Sequence, residues 1–152
     1  MPIEVRNAQR QIVLDRRRLI RAGEQLLVEL KLEATLLSVL IASNRVMSRL
    51  HEDWMGETGP TDVISFPAGM GPAGPVPLLG DIVISAEVAA EQAKQKKRSG
   101  ERNRKASKAE VTEQVLKLMI HGLLHLTGSH HRTPATRKRM FQKMRQLYRA
   151  TL

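Results

Sequence analysis

His121-Gly122-Leu123-Leu124-His125-Leu126-Thr127-Gly128-Ser129-His130-His131 holds four of the chain's five histidines within eleven residues. The four-residue step from His121 to His125 places both imidazoles one above the other on one face of a helix. Gly128 lacks a Cβ, so it can take the left-handed backbone that commonly ends a helix, and the chain can double back there. A third imidazole is then returned toward the first two. His131 is the natural third ligand, and His130 is its competitor. Three neutral imidazoles with a fourth position open is the layout of a catalytic rather than a structural zinc site.

The spacing is that of the zinc-protease pattern H-E-x-x-H-x-x-G-x-x-H, glycine included, with one change. Gly122 stands where the protease glutamate would take a proton from the attacking water. The pattern therefore keeps a metal site and argues against a peptidase. The helix carrying the pair is expected from about Ala109 to Thr127, with Val111, Val115, Leu118 and Met119 packed around the histidine face. Apolar surroundings exclude competing water, and each ligand needs an acceptor for its other ring nitrogen.

Pro134 suits the first turn of a last helix running to about Tyr148. Met140, Met144 and Leu147 face inward at helical spacing, and Arg137, Lys138, Arg139, Lys143, Arg145 and Arg149 face out. No acid follows Glu113, so the C-terminal quarter is uniformly positive beside the proposed metal. Before the histidine helix, Lys94 to Lys108 carries eight basic residues and one acid, Glu101. With no apolar stripe it reads as a mobile basic loop, over about residues 98–108, and as an RNA or phosphate contact. The basic residues expected to meet RNA are Lys94, Lys96, Lys97, Arg98, Arg102, Arg104, Lys105 and Lys108, together with Arg137 and Arg139.

Further toward the N-terminus, Ile3 to Arg6 reads as a short strand with Ile3 and Val5 on one face. Asp15 can cap a helix through about Leu32 whose stripe is Leu19, Ala22, Leu26, Leu27 and Leu30. Arg16, Arg17, Arg18 and Arg21 load its first turns and read as a solvated face. Ala34 to Ala42 is too apolar for a half-exposed strand and reads as a central one. Asn44 can cap a helix from about Arg45 to Trp54, with Val46, Met47 and Leu50 inward. Thr61 to Phe66 is a strand stopped by Pro67, and Ala68 to Pro77, with three Gly and three Pro, is a loop. Asp81 to Ser85 is another strand, and Ser85 caps a helix to about Lys97 with Val88, Ala89 and Ala93 packed. The order β-α-β-α-β-β-α-α-α predicts one α+β domain over residues 1–152, with helices on a mixed sheet of about four strands.

Composition bounds the function. The chain has 152 residues, 41% of them hydrophobic, enough to bury a core. Cysteine is absent, so thiolate zinc ligands and disulfides are excluded, which fits a reducing compartment. The start has no apolar h-region and no apolar run approaches a membrane span, so neither secretion nor a membrane is expected. Lys and Arg total 25 against 15 Asp and Glu, a net charge of +10. Such a chain is attracted to polyanions, nucleic acid first among them. Two Phe, one Tyr and one Trp make a broad base-stacking platform an unexpected feature; phosphate contacts and shape would dominate.

HGLLHLTGSHH resembles the histidine signature of the YbeY family of endoribonucleases and rRNA maturation factors, usually H-G-x-L-H-L-x-G-Y-D-H. PTDVISFP from Pro60 to Pro67 and LGDIVIS from Leu79 to Ser85 look like its second and third signatures, and the order of elements agrees. The resemblance spans nearly the whole chain. It implies one Zn²⁺ per chain held by His121, His125 and His131. It also implies cleavage of single-stranded RNA in 3′-end maturation of small-subunit (16S) rRNA and in ribosome quality control. The cytoplasm is the implied location, with small ribosomal subunit components and an assembly GTPase as partners. The ion would polarise a phosphate oxygen and lower the pKa of bound water.

Three departures stand out. Ser129-His130 replaces the family's Tyr-Asp. The family's arginine before the PTDV strand falls on Met55, whose thioether cannot pair with phosphate. The Lys94–Lys108 segment is more charged than the family's usual. No general base is evident; His51 is a candidate, and a surface histidine is its plainer reading. Two rivals to the nuclease follow: an RNA-binding assembly factor whose metal is mainly structural, and, behind it, a zinc peptidase.

Overall fold

Alternating apolar residues and capped amphipathic runs resolve into nine elements among the described residues, 3–59, 61–68, 77–96 and 104–152 of a computed structural model. In chain order these are β1 (Ile3–Asn7), α1 (Arg16–Glu29), β2 (Leu36–Ala42), α2 (Asn44–Met55), β3 (Val63–Pro67), β4 (Leu78–Ser85), α3 (Ala86–Gln95), α4 (Lys108–Leu126) and α5 (Pro134–Ala150). The sheet order is β1-β2-β4-β3. β1 and β4 flank β2 in parallel, and β3 pairs antiparallel with β4 at an edge. The expected mixed four-stranded α+β fold and the central place of β2 are both present.

Period two along β2 puts Leu37, Val39 and Ile41 on one fully buried face, joined there by Ile82 and Ile84 of β4. Leu116, Met119, Ile120 and Leu123 of α4 lie among them, each with almost no exposed surface. Each such side chain contributes about 1.5–3 kcal/mol by leaving water, so α4 is held by its packing far more than by its intrinsic helicity. The opposite face is more lightly covered: Met47 of α2 packs with Ala42, Ile64 and Val83. Pro67 is accommodated because β3 is an edge strand, with one side unpaired among the described residues.

Local chemistry shifts several boundaries. Asp15 caps α1 as expected, its carboxylate accepting from the Arg18 N–H. The helix stops at Glu29 rather than near Leu32, where Lys31 turns to φ +58°. Ser43, not Asn44, caps α2: the Asn44 carboxamide oxygen accepts from Ser85 Oγ at 2.6 Å, and its N–H donates to Glu87. Val46 is consequently not inward but 43% exposed, while Met47 takes the core position. β4 begins at Leu78, earlier than expected, and α3 ends at Gln95. Ser107 and Glu110 form a capping box that starts α4 at Lys108, so the basic segment ends in a helix terminus.

The arginine cluster is only partly a solvated face. Arg16 Nε donates to the Val5 carbonyl at 2.7 Å. Arg18 forks onto Glu113 of α4 at 3.1 and 2.9 Å and also reaches the Thr151 carbonyl, while the Tyr148 hydroxyl donates to Glu113 at 2.7 Å. One carboxylate thus joins α1, α4 and α5. The Arg18 guanidinium holds it below the usual carboxylate range against partial burial, with the Tyr148 hydroxyl helping.

Candidate metal centre

α4 ends by a specific backbone device. Ser129 N–H donates to the Leu124 carbonyl and Gly128 N–H to the His125 carbonyl, with Gly128 at φ +98°. This is the Schellman arrangement, and a residue with a Cβ would be strained at Gly128. The reversal carries His131 back over the last turn of α4, and Thr133 then caps α5 with Pro134 in its first turn.

The result is a cluster of three imidazoles. His121, His125 and His131 each offer a ring nitrogen within 4.8 Å of the others. The Nε2 atoms of His121 and His125 lie 3.0 Å apart, and ring centroids are 4.6 to 5.8 Å apart. Burial pushes the His121 imidazolium to lower pKa, and His125 adds to this while Asp62 opposes it. Burial, with His131 next, does the same to His125. Both shifts favour the neutral ring, whose nitrogen lone pair is the form that binds a metal. Neutral rings carry one N–H each, so a single hydrogen bond cannot satisfy three converging nitrogens; a cation accepting three lone pairs can. The donor set therefore fits a metal ion that takes imidazole ligands. His130 lies elsewhere: its Nδ1 faces the Arg132 N–H, and it lines a different hollow with Arg139 and Lys143.

A cleft of about 450 Å³ opens over the three rings. Its walls come from the end of α2 and the loop after it (His51, Met55, Glu57) and from Thr61 to Ser65 leading into β3. His51 Nδ1–H donates to the Gly59 carbonyl at 2.9 Å, and its Nε2 is 2.9 Å from Glu57. Asp62 accepts from Val63 N–H and from Gln92 Nε2, so its carboxylate is fixed in the wall. Met55 lines this cleft, and no Lys or Arg does among the described residues. Asp62 and Ser65 escaped the sequence reading, although both lie inside the Pro60–Pro67 signature.

Gly122 packs against the sheet. A Cβ there would come within 2.9 Å of Ile82 Cγ2 and 3.0 Å of Ser65 Oγ. Ser65 Oγ donates to the Gly122 carbonyl at 3.0 Å, tying β3 to α4 directly beneath His121. The glycine thus marks a close approach of helix and sheet.

The basic residues separate into groups. Lys96 and Arg137 line a second, larger cavity that also reaches His121, and the Lys96 ammonium donates to Gln114. Arg139 is on another side of α5, facing the hollow that holds His130. Lys94 is in the last turn of α3, Arg104 and Lys105 precede α4, and Lys108 opens it. Lys97, Arg98 and Arg102, with most of the basic segment between about residues 98 and 108, lie outside the described residues.

An α+β sheet carrying an H-x-x-x-H helix and a third histidine beyond a glycine turn defines the class: an α+β protein with a three-histidine group able to hold a metal ion. The family model for Endoribonuclease YbeY matches residues 4–151. The chain belongs to the YbeY family. The Endoribonuclease YbeY of Kineococcus radiotolerans is 42% identical over 117 residues, which is 73% of this chain and 61% of the relative, less than two thirds of its length. That of Renibacterium salmoninarum is 36% identical over 154 residues, 97% of this chain and 90% of the relative. The solution structure of a Thermotoga maritima protein matches with a TM-score of 0.61 at 21% identity, covering 98% of this chain and 88% of that one, which supports the fold.

Proposed function

We propose that the chain is a metal-dependent endoribonuclease that cuts single-stranded RNA in small-subunit (16S) rRNA 3′-end maturation and ribosome quality control. The observation that carries this reading is the convergence of His121, His125 and His131 at the floor of an open cleft. Family membership and the net charge of +10 support it. The three histidines would hold one Zn²⁺, which supplies Lewis acidity at a phosphate oxygen and an acidified water when bound. His51 and Asp62 line the same cleft in fixed orientations, His51 braced by Gly59 and Glu57, and Asp62 by Gln92. Asp62 would be the candidate proton acceptor, with His51, whose ring nitrogens face the Gly59 carbonyl and the Glu57 carboxylate, beside it, and Lys and Arg outside the cleft lining would position the RNA backbone. The role implies a cytoplasmic location, with small ribosomal subunit components and an assembly GTPase as partners. No helix among the described residues is long and apolar enough to cross a membrane.

Met55 favours a second reading, an RNA-binding assembly factor whose metal is mainly structural. The position where the family places arginine offers the cleft a thioether instead. The peptidase reading loses ground because Gly122 stands where the protease glutamate would be, and a side chain there would crowd Ile82 and Ser65.

The test is cleavage of a labelled single-stranded rRNA fragment by metal-quantified wild type and His125→Ala. Turnover by wild type alone, with about one metal per chain, is the expected result. Metal bound without turnover would transfer the reading to the assembly factor; full cleavage by His125→Ala would remove the metal from the chemistry.

A further inference from the structure

A cavity of about 790 Å³ lies between α4 and α5, and His121 lines both it and the cleft over the three histidines. Five cations surround it: Lys96, Lys117, Arg137, Lys138 and Arg145. No carboxylate lines it among the described residues. Its lining also includes apolar Leu118 and Met144, and Phe141, a residue 53% exposed.

The sequence of α5 builds this arrangement. Arg137, Phe141 and Arg145 are spaced by four, so they form a stripe along one helix face, with an aromatic ring between two guanidinium groups. Inward residues of the same helix, Met140 and Leu147, hold it on the core. Lys117 Nζ stands 5.1 Å from the Tyr148 ring centroid, so one aromatic face is already covered by a cation while Phe141 remains open. An exposed phenylalanine flanked by cations, with apolar residues in the same lining, matches a ligand with flat apolar rings joined by anionic links. Single-stranded nucleic acid has that chemistry: bases stack on aromatic side chains while phosphates meet Lys and Arg. A duplex keeps its bases stacked on each other and cannot offer one to Phe141.

We propose that this cavity is a nucleotide subsite that holds the RNA strand beside the histidine cleft, with one base on Phe141 and the flanking phosphates on Arg137 and Arg145. The proposal rests on the reading of RNA as substrate and names where the strand is gripped outside the metal cleft. The subsite also supplies positive charge next to His121, which the cleft itself lacks at Met55. Because His121 lines both hollows, a strand held there would lie beside the histidine cleft.

The test uses the full, metal-loaded chain, with Phe141→Ala and Arg137→Gln/Arg145→Gln as variants and metal content and melting temperature measured for each. Binding of a labelled 2′-O-methyl oligouridine of about twelve nucleotides is followed by fluorescence anisotropy across salt concentrations. KM and kcat are measured on the cleavable strand. Phe141→Ala should weaken single-strand binding about tenfold and raise KM with kcat little changed, while duplex binding stays unaltered. The double variant should make the salt slope shallower by about 1.4, two phosphate contacts' worth. Single-strand affinity and KM within about twofold of wild type in both variants overturn the subsite. So does poly-glutamate that displaces the oligonucleotide and loses affinity equally in both variants, because the occupant is then an acidic polypeptide. The two readings fail separately. Wild type that binds the strand through Phe141 but never cuts it defeats the nuclease and leaves the subsite. Wild type that cuts, with both variants unchanged in KM, defeats the subsite and leaves the nuclease.

Discussion

Substituting Gly122 with alanine sets two physical effects against each other directly beneath the histidine cluster. In a helix interior alanine is favoured over glycine by about 1 kcal/mol, so helicity alone predicts a more stable protein. Packing predicts the opposite. The new methyl would come within 2.9 Å of Ile82 Cγ2, 3.0 Å of Ser65 Oγ and 3.3 Å of Ile82 Cδ1. Ile82 is completely buried, and its Cγ2 is attached at the branch point, so it cannot swing aside as a flexible chain end would. Ser65 Oγ is held by its hydrogen bond to the Gly122 carbonyl. Overpacking of this kind costs about 1–3 kcal/mol, so the net expectation is destabilisation by about 1 kcal/mol. For a chain of this length that is a fall in melting temperature of about 2–4 °C. Urea denaturation should show a lower midpoint with an unchanged slope. A double-mutant cycle with Ile82→Ala isolates the cause. Ile82→Ala alone leaves a cavity and costs about 2–5 kcal/mol, but the methyl added at position 122 would then occupy part of that space. The double variant should be at least about 1 kcal/mol more stable than the sum of the single effects. A Gly122→Ala protein that melts higher than wild type, or a cycle additive to within about 0.5 kcal/mol, would refute the close-approach account of this glycine.

Two further outcomes follow from other parts of the molecule. Glu113 is held below its ordinary value of 4.5 first by the hydrogen bond from Arg18, against burial. Its stabilising contribution is therefore complete above about pH 4.5 and is lost as pH falls through the lowered folded value. The melting temperature of wild type should exceed that of Glu113→Gln near neutrality, with the gap closing on acidification below that value; a gap independent of pH would count against the network. Met55→Arg should increase cleavage of single-stranded RNA about tenfold or more at unchanged metal content, because it restores a charge-assisted donor to a cleft with no Lys or Arg among its described lining residues. Equal rates for Met55→Arg and wild type would mean that charge at this position is already supplied from elsewhere.

Much of the fold was legible from short-range patterns. The order of all nine elements, the central strand and the caps at Asp15 and Ser85 follow from period, propensity and capping chemistry within a few residues. Two of the differences come from distant contacts. Asn44 lost its cap role because Ser85, far along the chain, engages its carboxamide. Arg18 looked like one more solvated arginine until α4 and α5 brought Glu113 and Thr151 beside it.

The same division holds at the site. The chain by itself determined the four-residue histidine step, the glycine that lets the helix end, and the excess of positive charge, because spacing, backbone freedom and composition are local properties. Which groups share a volume is a matter of packing. Only the tertiary structure decided that His131 rather than His130 approaches His121 and His125. It also decided that Gly122 serves helix–sheet contact, and that Arg137 and Arg139, two residues apart, face different hollows. Helical rotation turns residues two apart to different sides, and only the neighbours packed against α5 determine what each side meets.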